Sequence, residues 1–313
     1  MRIAVFGTGG VGGYFGGRLA QAGEDVVFIA RGDHLKAMLE HGLRVDSVKG
    51  DFVVNPVQAT DDPAQVGKVD VVLVGIKAWQ VHQAAESMRP MIGSDTAVLP
   101  LQNGLEAPTQ LATVLGERHV LGGLCGLMTF IAGPGHICHA GVEPFIKFGE
   151  MDNRSSQRVE KLREAFARAG VTVEVPPDIQ VALWMKFLFM TSFSGLGAMT
   201  RAPVGVWRRL PETRQMAEEA LQEIKTLAGA QGVSLPEDAI QMIMGMFDGL
   251  PPATTTSMQR DVMEGRPSEL DALIGVVVRF GKETDVATPL HRFLYNSLLP
   301  MDLRARGQLQ FPE

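Results

Sequence analysis

The sequence predicts an α/β, Rossmann-type N-terminal domain with a parallel sheet, followed by an all-α C-terminal domain. Short β-branched runs at 3–6, 26–30, 69–76 and 97–101 alternate with helix-compatible stretches, as parallel strands joined by crossover helices require. A Gly7-x-Gly9-x-x-Gly12 turn follows the first run directly. Beyond Asp178, strand-like alternation disappears and apolar residues recur at helical spacing. The 313 residues are about twice an ordinary single-domain length, which predicts two units, 1–178 and 179–313.

The turn comprises Gly7, Thr8, Gly9, Gly10, Val11 and Gly12. Its first glycine allows a tight bend, the second lets backbone approach a pyrophosphate, and the third lets the following helix pack closely on the strand. That helix points unpaired N–H groups at the phosphates. The second run ends at Ile29-Ala30-Arg31, where an acidic residue would bind the free ribose hydroxyls of NAD or FAD. Arg31 offers instead a planar, permanently charged fork suited to a 2′-phosphate, and no carboxylate follows until Asp33. NADP (NADPH) is therefore the predicted cofactor. Further apolar runs at 120–130, 137–139, 144–148 and 171–175 predict that the sheet continues, with a helix over 155–169 closed by Gly170.

In the second unit Ala217, Leu221, Ile224 and Ala228 form one helical stripe, opposite Glu219 and Glu223, with Gly232 as a stop. Pro251, Pro252 and the threonines at 254–256 mark a break between helices. Met242, Met244 and Met246 are expected to fill the core.

Hydrophobic residues make up 45% and charged residues 20%, enough for packed cores. The net charge of −6, without a basic block, argues against nucleic acid and for a small ligand. Cys125 and Cys138 alone cannot build a disulfide framework, and their scarcity suits a reducing cytoplasm. The apolar start, 3–6, is too short for a signal peptide. The longest apolar stretch, 181–199, carries Lys186 together with hydroxyls and glycines, so it reads as a buried helix rather than a membrane span. His136, Cys138 and His139 lack a second ligand pair, so no metal is expected. A homodimer through the helical half is compatible with the sequence.

Gly75-Ile76-Lys77-Ala78-Trp79-Gln80-Val81 and Leu101-Gln102-Asn103-Gly104 stand at the ends of successive strands. Further on come Pro134-Gly135-His136-Ile137-Cys138-His139, Leu183-Trp184-Met185-Lys186-Phe187, Ser257-Met258-Gln259-Arg260-Asp261 and Ser268-Glu269-Leu270-Asp271. In this order, over nearly the whole chain, these motifs resemble the ketopantoate reductase family. The resemblance implies NADPH-dependent reduction of a small 2-keto acid, ketopantoate to pantoate in pantothenate biosynthesis, in a cleft between the domains. It makes Lys186 the proton donor and Glu269 the acidic residue holding the substrate hydroxyl and the cofactor end of the site. Ser257 becomes a substrate-binding serine, Asn103 a contact to nicotinamide and substrate, and Lys77 the lysine beside the cofactor.

Carbonyl reduction needs a hydride, a positive group where negative charge develops, and a proton. A lysine ammonium, charged at neutral pH, serves the last two needs. Apolar Trp184, Phe187, Leu188 and Phe189 make an unpartnered Lys186 costly there. Local sequence alone also allows a snorkelling surface lysine at 186, a solvated helix-start carboxylate at 269, a plain turn at Asn103 and a strand-end charge at Lys77. The chain departs from the family where asparagines usually stand: Met190 and Ser194 lie at i+4 and i+8 from Lys186, on its face and in reach of substrate. Two further polar contacts fall on Thr254 and Val204. These departures keep open a different small 2-keto or hydroxy acid as substrate, or a non-catalytic NADP-binding sensor.

Overall fold

Strands buried on both faces are read from unbroken apolar runs, and Ile3–Phe6 is fully covered in the computed structural model, which describes residues 1–141 and 143–312. The chain divides into two units, Met1–Gln102 with Glu106–Ile179, and Asn103–Leu105 with the described residues from Gln180 onward. The first contains, in order, β1 (Arg2–Phe6), α1 (Gly10–Gln21), β2 (Asp25–Ile29), α2 (Gly32–His41), β3 (Leu43–Ser47), β4 (Phe52–Val54), β5 (Gln58–Thr60), β6 (Val69–Val74), α3 (Val81–Met88), β7 (Ile92–Pro100), α4 (Ala107–Leu115), β8 (Leu121–Gly126), β9 (Thr129–Gly133), β10 (His136–His139), β11 (Phe145–Glu150), α5 (Gln157–Arg168) and β12 (Thr172–Glu174).

The central sheet has the order β5-β2-β1-β6-β7, and every pairing in it is parallel. Register places Val5 between Phe28 and Leu73. Side chains alternate across it with the two-residue period of a strand. Ile3, Val5, Phe28 and Leu73 join one core with Phe15, Phe148 and Phe166, whereas Ala4, Phe6, Val27 and Val72 join another with Val81, Met88 and Leu111. Burying one such large side chain contributes about 1.5–3 kcal/mol.

The expectation that later strands extend this sheet is corrected. The run at 120–130 splits into β8 and β9, which belong to separate sheets of order β12-β11-β8 and β4-β3-β10-β9. Leu121–Cys125 is buried throughout while the middle of β9 is exposed, a difference that an apolar run does not reveal. The stretch between the second and third predicted strands likewise holds three short strands, β3, β4 and β5, besides its helix.

The second unit contains α6 (Ile179–Thr200, its first residue lying in the first unit), α7 (Val204–Trp207), α8 (Pro211–Ala230), α9 (Ala239–Gly249), α10 (Ser257–Met263), a π-helical turn at Asp271–Gly275, α11 (Val276–Thr284) and α12 (Pro289–Ala305). Ala217, Leu221, Ile224 and Ala228 are completely buried, and Gly232, at φ +81°, ends the segment after α8 as its spacing predicts. Glu223, placed on the polar face by spacing, instead accepts the N–H groups of Leu290 (2.7 Å) and His291 (3.1 Å) at the start of α12. The expectation for the methionines is also corrected: Met244 is buried, but Met242 and Met246 are about half exposed, since they sit one turn apart on the outer side of α9. Among the described residues α6 is the one helix long and apolar enough to cross a membrane, and 67% of its most apolar window is buried inside the protein.

Candidate active-site residues

The carbonyl of Ile29, at the end of β2, accepts the N–H of Gly7 (3.3 Å), the N–H of Thr8 (3.2 Å) and the hydroxyl of Thr8 (3.1 Å). The turn after β1 is thereby tied to the neighbouring strand. Gly7 has φ +100°, a conformation costly for other residues. A Cβ at Gly12 would collide with the Gly7 carbonyl oxygen and lie 3.0 Å from Val5 Cγ1, so only glycine lets α1 approach β1 this closely. At Gly9, by contrast, a Cβ would meet nothing within 4 Å.

A cavity of about 350 Å³ opens beside this turn. Gly7, Thr8, Gly9 and Arg31 of the predicted cofactor residues line it, and the lining includes no carboxylate. Arg31 is exposed and occupies the position before α2, with extended backbone (φ −139°, ψ 160°). The donors suit a dinucleotide: unpaired N–H groups where α1 begins, a guanidinium, and no competing negative charge. Gly10, Val11, Gly12 and Lys77 lie outside the lining. Gly10 packs on β9, where a Cβ would come 2.7 Å from Thr129 Oγ1. Lys77 is exposed, its ammonium 5.6 Å from the Trp79 ring centroid.

His34, Gln80, Gln83, Ser87 and Ile131, none of them among the candidates read from the sequence, also line the cavity. The first four carry a spacing signal: His34 follows Arg31 by one turn, and positions 80, 83 and 87 share a helical face. His34 Nδ1 accepts the N–H of Gly135 (3.0 Å). Burial holds the His34 ring below the ordinary histidine pKa, against an upward pull from the Thr8 backbone. Ile131 lies on β9, brought to the cavity by pairing that local spacing does not encode.

In the second unit Lys186 is half-buried on α6, between core residues Trp184 and Phe187, and makes no hydrogen bond or ion pair among the described residues. One turn on, Met190 is half-buried; two turns on, Ser194 is fully buried and its Oγ has no partner among the described residues. Asn103 Nδ2 donates to Glu269 Oε2 at 3.0 Å, joining two predicted site residues 166 positions apart. Glu269 is 7% exposed and immediately precedes the helical segment that runs into the π turn. Gly104, at φ +101°, packs on that turn, where a Cβ would come 2.8 Å from the Ala272 carbonyl oxygen. Ser257 is half-buried at the first position of α10. Thr254 Oγ1 donates to the Pro251 carbonyl (2.7 Å), and Val204 is fully buried, so neither replaces an amide side chain.

A parallel sheet bearing a glycine turn and phosphate-suited cavity, together with a helical unit bearing a lysine without a partner among the described residues and a part-buried Asn–Glu pair, defines a Rossmann-type oxidoreductase. The chain belongs to the ketopantoate reductase family: the family model "Ketopantoate reductase PanE/ApbA" matches residues 3–153, and its C-terminal counterpart matches 178–301. A 2-dehydropantoate 2-reductase from Nostoc sp. is 33% identical over 314 residues, covering 98% of each chain. The crystal structure of a PanE/ApbA family ketopantoate reductase from Ralstonia eutropha superposes with a TM-score of 0.88 at 32% identity, covering 98% of this chain and 100% of that one. A D-mandelate dehydrogenase structure reaches a TM-score of 0.89 at 21% identity, covering 98% of this chain and 99% of that one, and shares the fold. The protein is thus an oxidoreductase of CH–OH/C=O groups.

Proposed function

We propose that the protein reduces a small 2-keto acid to the 2-hydroxy acid with NADPH, with 2-dehydropantoate as the leading substrate and Lys186 as proton donor. The observation that carries this reading is the half-buried lysine at the family's position for the donor, without a competing partner among the described residues. The 2-dehydropantoate 2-reductases among its relatives support the substrate. Gly7, Thr8, Gly9 and Arg31 would hold the dinucleotide, with Arg31 on the 2′-phosphate. When bound, NADPH supplies the hydride that reduces the carbonyl carbon.

Lys186 Nζ stabilises the negative charge growing on the carbonyl oxygen and then transfers a proton to it. Glu269 accepts a hydrogen bond from the resulting hydroxyl and orients the ammonium. Asn103 holds one oxygen of that carboxylate, which fixes its plane and leaves the other oxygen for substrate. Ser257 and Ser194 supply hydroxyls to the substrate, and Lys77 acts at the cofactor.

Met190, Ser194, Thr254 and Val204 favour a second reading, in which the substrate is a 2-keto acid without a distal hydroxyl. A site built to bind that hydroxyl would need donors that methionine and valine lack. Following NADPH oxidation with 2-dehydropantoate and with branched 2-keto acids lacking the hydroxyl separates the two. Tight NADPH binding with no turnover on any of them would overturn both and leave a nucleotide sensor.

A further inference from the structure

We propose that Asp302 and Arg306 are positioning residues for Glu269, acting through the backbone of Ser268. The inference rests on the role given above to Glu269.

Ser268 is completely buried, and both of its backbone polar groups are held by ionisable side chains from the end of α12. Its N–H and its hydroxyl donate to Asp302 Oδ1, at 2.8 and 2.9 Å. Its carbonyl accepts from Arg306 Nη2 at 2.6 Å, and Arg306 Nε donates to Asp302 Oδ2 at 2.6 Å. The two side chains stand one helical turn apart, so they reach opposite ends of one residue as a closed ring. On the other side of Glu269, the N–H of Leu270 donates to Ser268 Oγ (3.3 Å), and the Glu269 carbonyl accepts the N–H of Leu273 (3.0 Å). Glu269 is therefore flanked by fixed backbone in both directions, and its carboxylate meets Asn103.

Stability alone is a poor account of this arrangement. The Asp302 side chain is 5% exposed and that of Arg306 20%, and a buried ion pair recovers little more than its own desolvation cost, which apolar residues of similar volume would avoid. What the ring supplies is direction: paired, charge-assisted bonds define a plane and a distance that packing does not. A π-helical turn begins two residues after Glu269, a geometry that recurs at functional sites. A misplacement of about 1 Å at a reacting group can cost on the order of 10²-fold in rate, so such a fixture has catalytic consequence.

The test is a double-mutant cycle on the full-length enzyme with NADPH and the best 2-keto acid. Arg306→Met should lower kcat between about tenfold and 10²-fold while leaving the Kd for NADPH unchanged, and Arg306→Lys should restore part of the loss. In a Glu269→Gln background the same Arg306→Met change should have little further effect, because no carboxylate remains to be placed. If Arg306→Met does not fold, Ser268→Ala takes its place in the cycle, with the same expectation. Losses that multiply in the double variant, or wild-type kcat in the single one, overturn the inference while the role of Glu269 stands. Wild-type kcat in Glu269→Gln overturns that role and the inference with it.

Discussion

Replacing Arg31 by alanine tests the cofactor assignment at the one point where the cavity carries a guanidinium. Arg31 precedes α2, is exposed, and borders the same 350 Å³ space as Gly7, Thr8 and Gly9, with no carboxylate in the lining to bind a free ribose hydroxyl. A hydrogen bond to a charged group is worth about 1.5–3 kcal/mol. At about 1.4 kcal/mol per decade, Arg31→Ala should raise the Kd for NADPH about 10- to 150-fold. NADH lacks the 2′-phosphate, so its affinity should change by less than about twofold on the same reasoning. Fluorescence titration of both nucleotides against wild type and variant measures the two shifts directly. Because the side chain is exposed, the NADPH effect should shrink as ionic strength rises. Equal weakening of both nucleotides, or a wild-type preference for NADH, would refute the assignment of Arg31 to the phosphate.

Lys186→Ala should lower kcat by at least about 10²-fold with NADPH affinity nearly unchanged, which steady-state rates and nucleotide titration together resolve. Met190→Asn should raise kcat/KM for 2-dehydropantoate relative to its counterpart lacking the hydroxyl by about 2- to 12-fold, the worth of one net hydrogen bond of about 0.5–1.5 kcal/mol; an unchanged ratio would remove Met190 from the substrate pocket. For stability, burial pushes the Glu223 carboxyl up, but the His291 ring (2.6 Å) and the N–H groups of Leu290 and His291 outweigh it and hold the group below its ordinary value of 4.5. The ionised form is favoured by folding, so this stabilisation is complete above 4.5 and is lost as pH falls through the lower folded value. Glu223→Gln should therefore lower Tm at pH 7, and thermal melts should show the gap to wild type closing on acidification.

What the sequence made legible divides by the range of the interaction. Gly12 is readable because the atoms a Cβ would meet there, the Gly7 carbonyl oxygen and Val5 Cγ1, lie only a few residues away, and Gly7 because its φ of +100° is a local demand of the turn. Arg31 was readable because the end of β2 lies at a fixed offset from the turn, and register holds β2 beside β1. The split of 120–130 into two sheets was not, since strand partners are chosen by distant chain: β8 pairs with β11, and β9 with β10. Family resemblance singles out Asn103 and Glu269, but spacing alone cannot join residues 166 positions apart. Ser268, Asp302 and Arg306 lie further along this scale. A serine before a helix and an Asp–Arg pair at i,i+4 look locally like ordinary capping and a surface ion pair. Only the fold, by burying Ser268 against the end of α12, turns them into a fixture around one peptide unit. On the proposal above, the residues that place the Glu269 carboxylate are the least visible in sequence, because their chemistry is common and their placement is wholly tertiary.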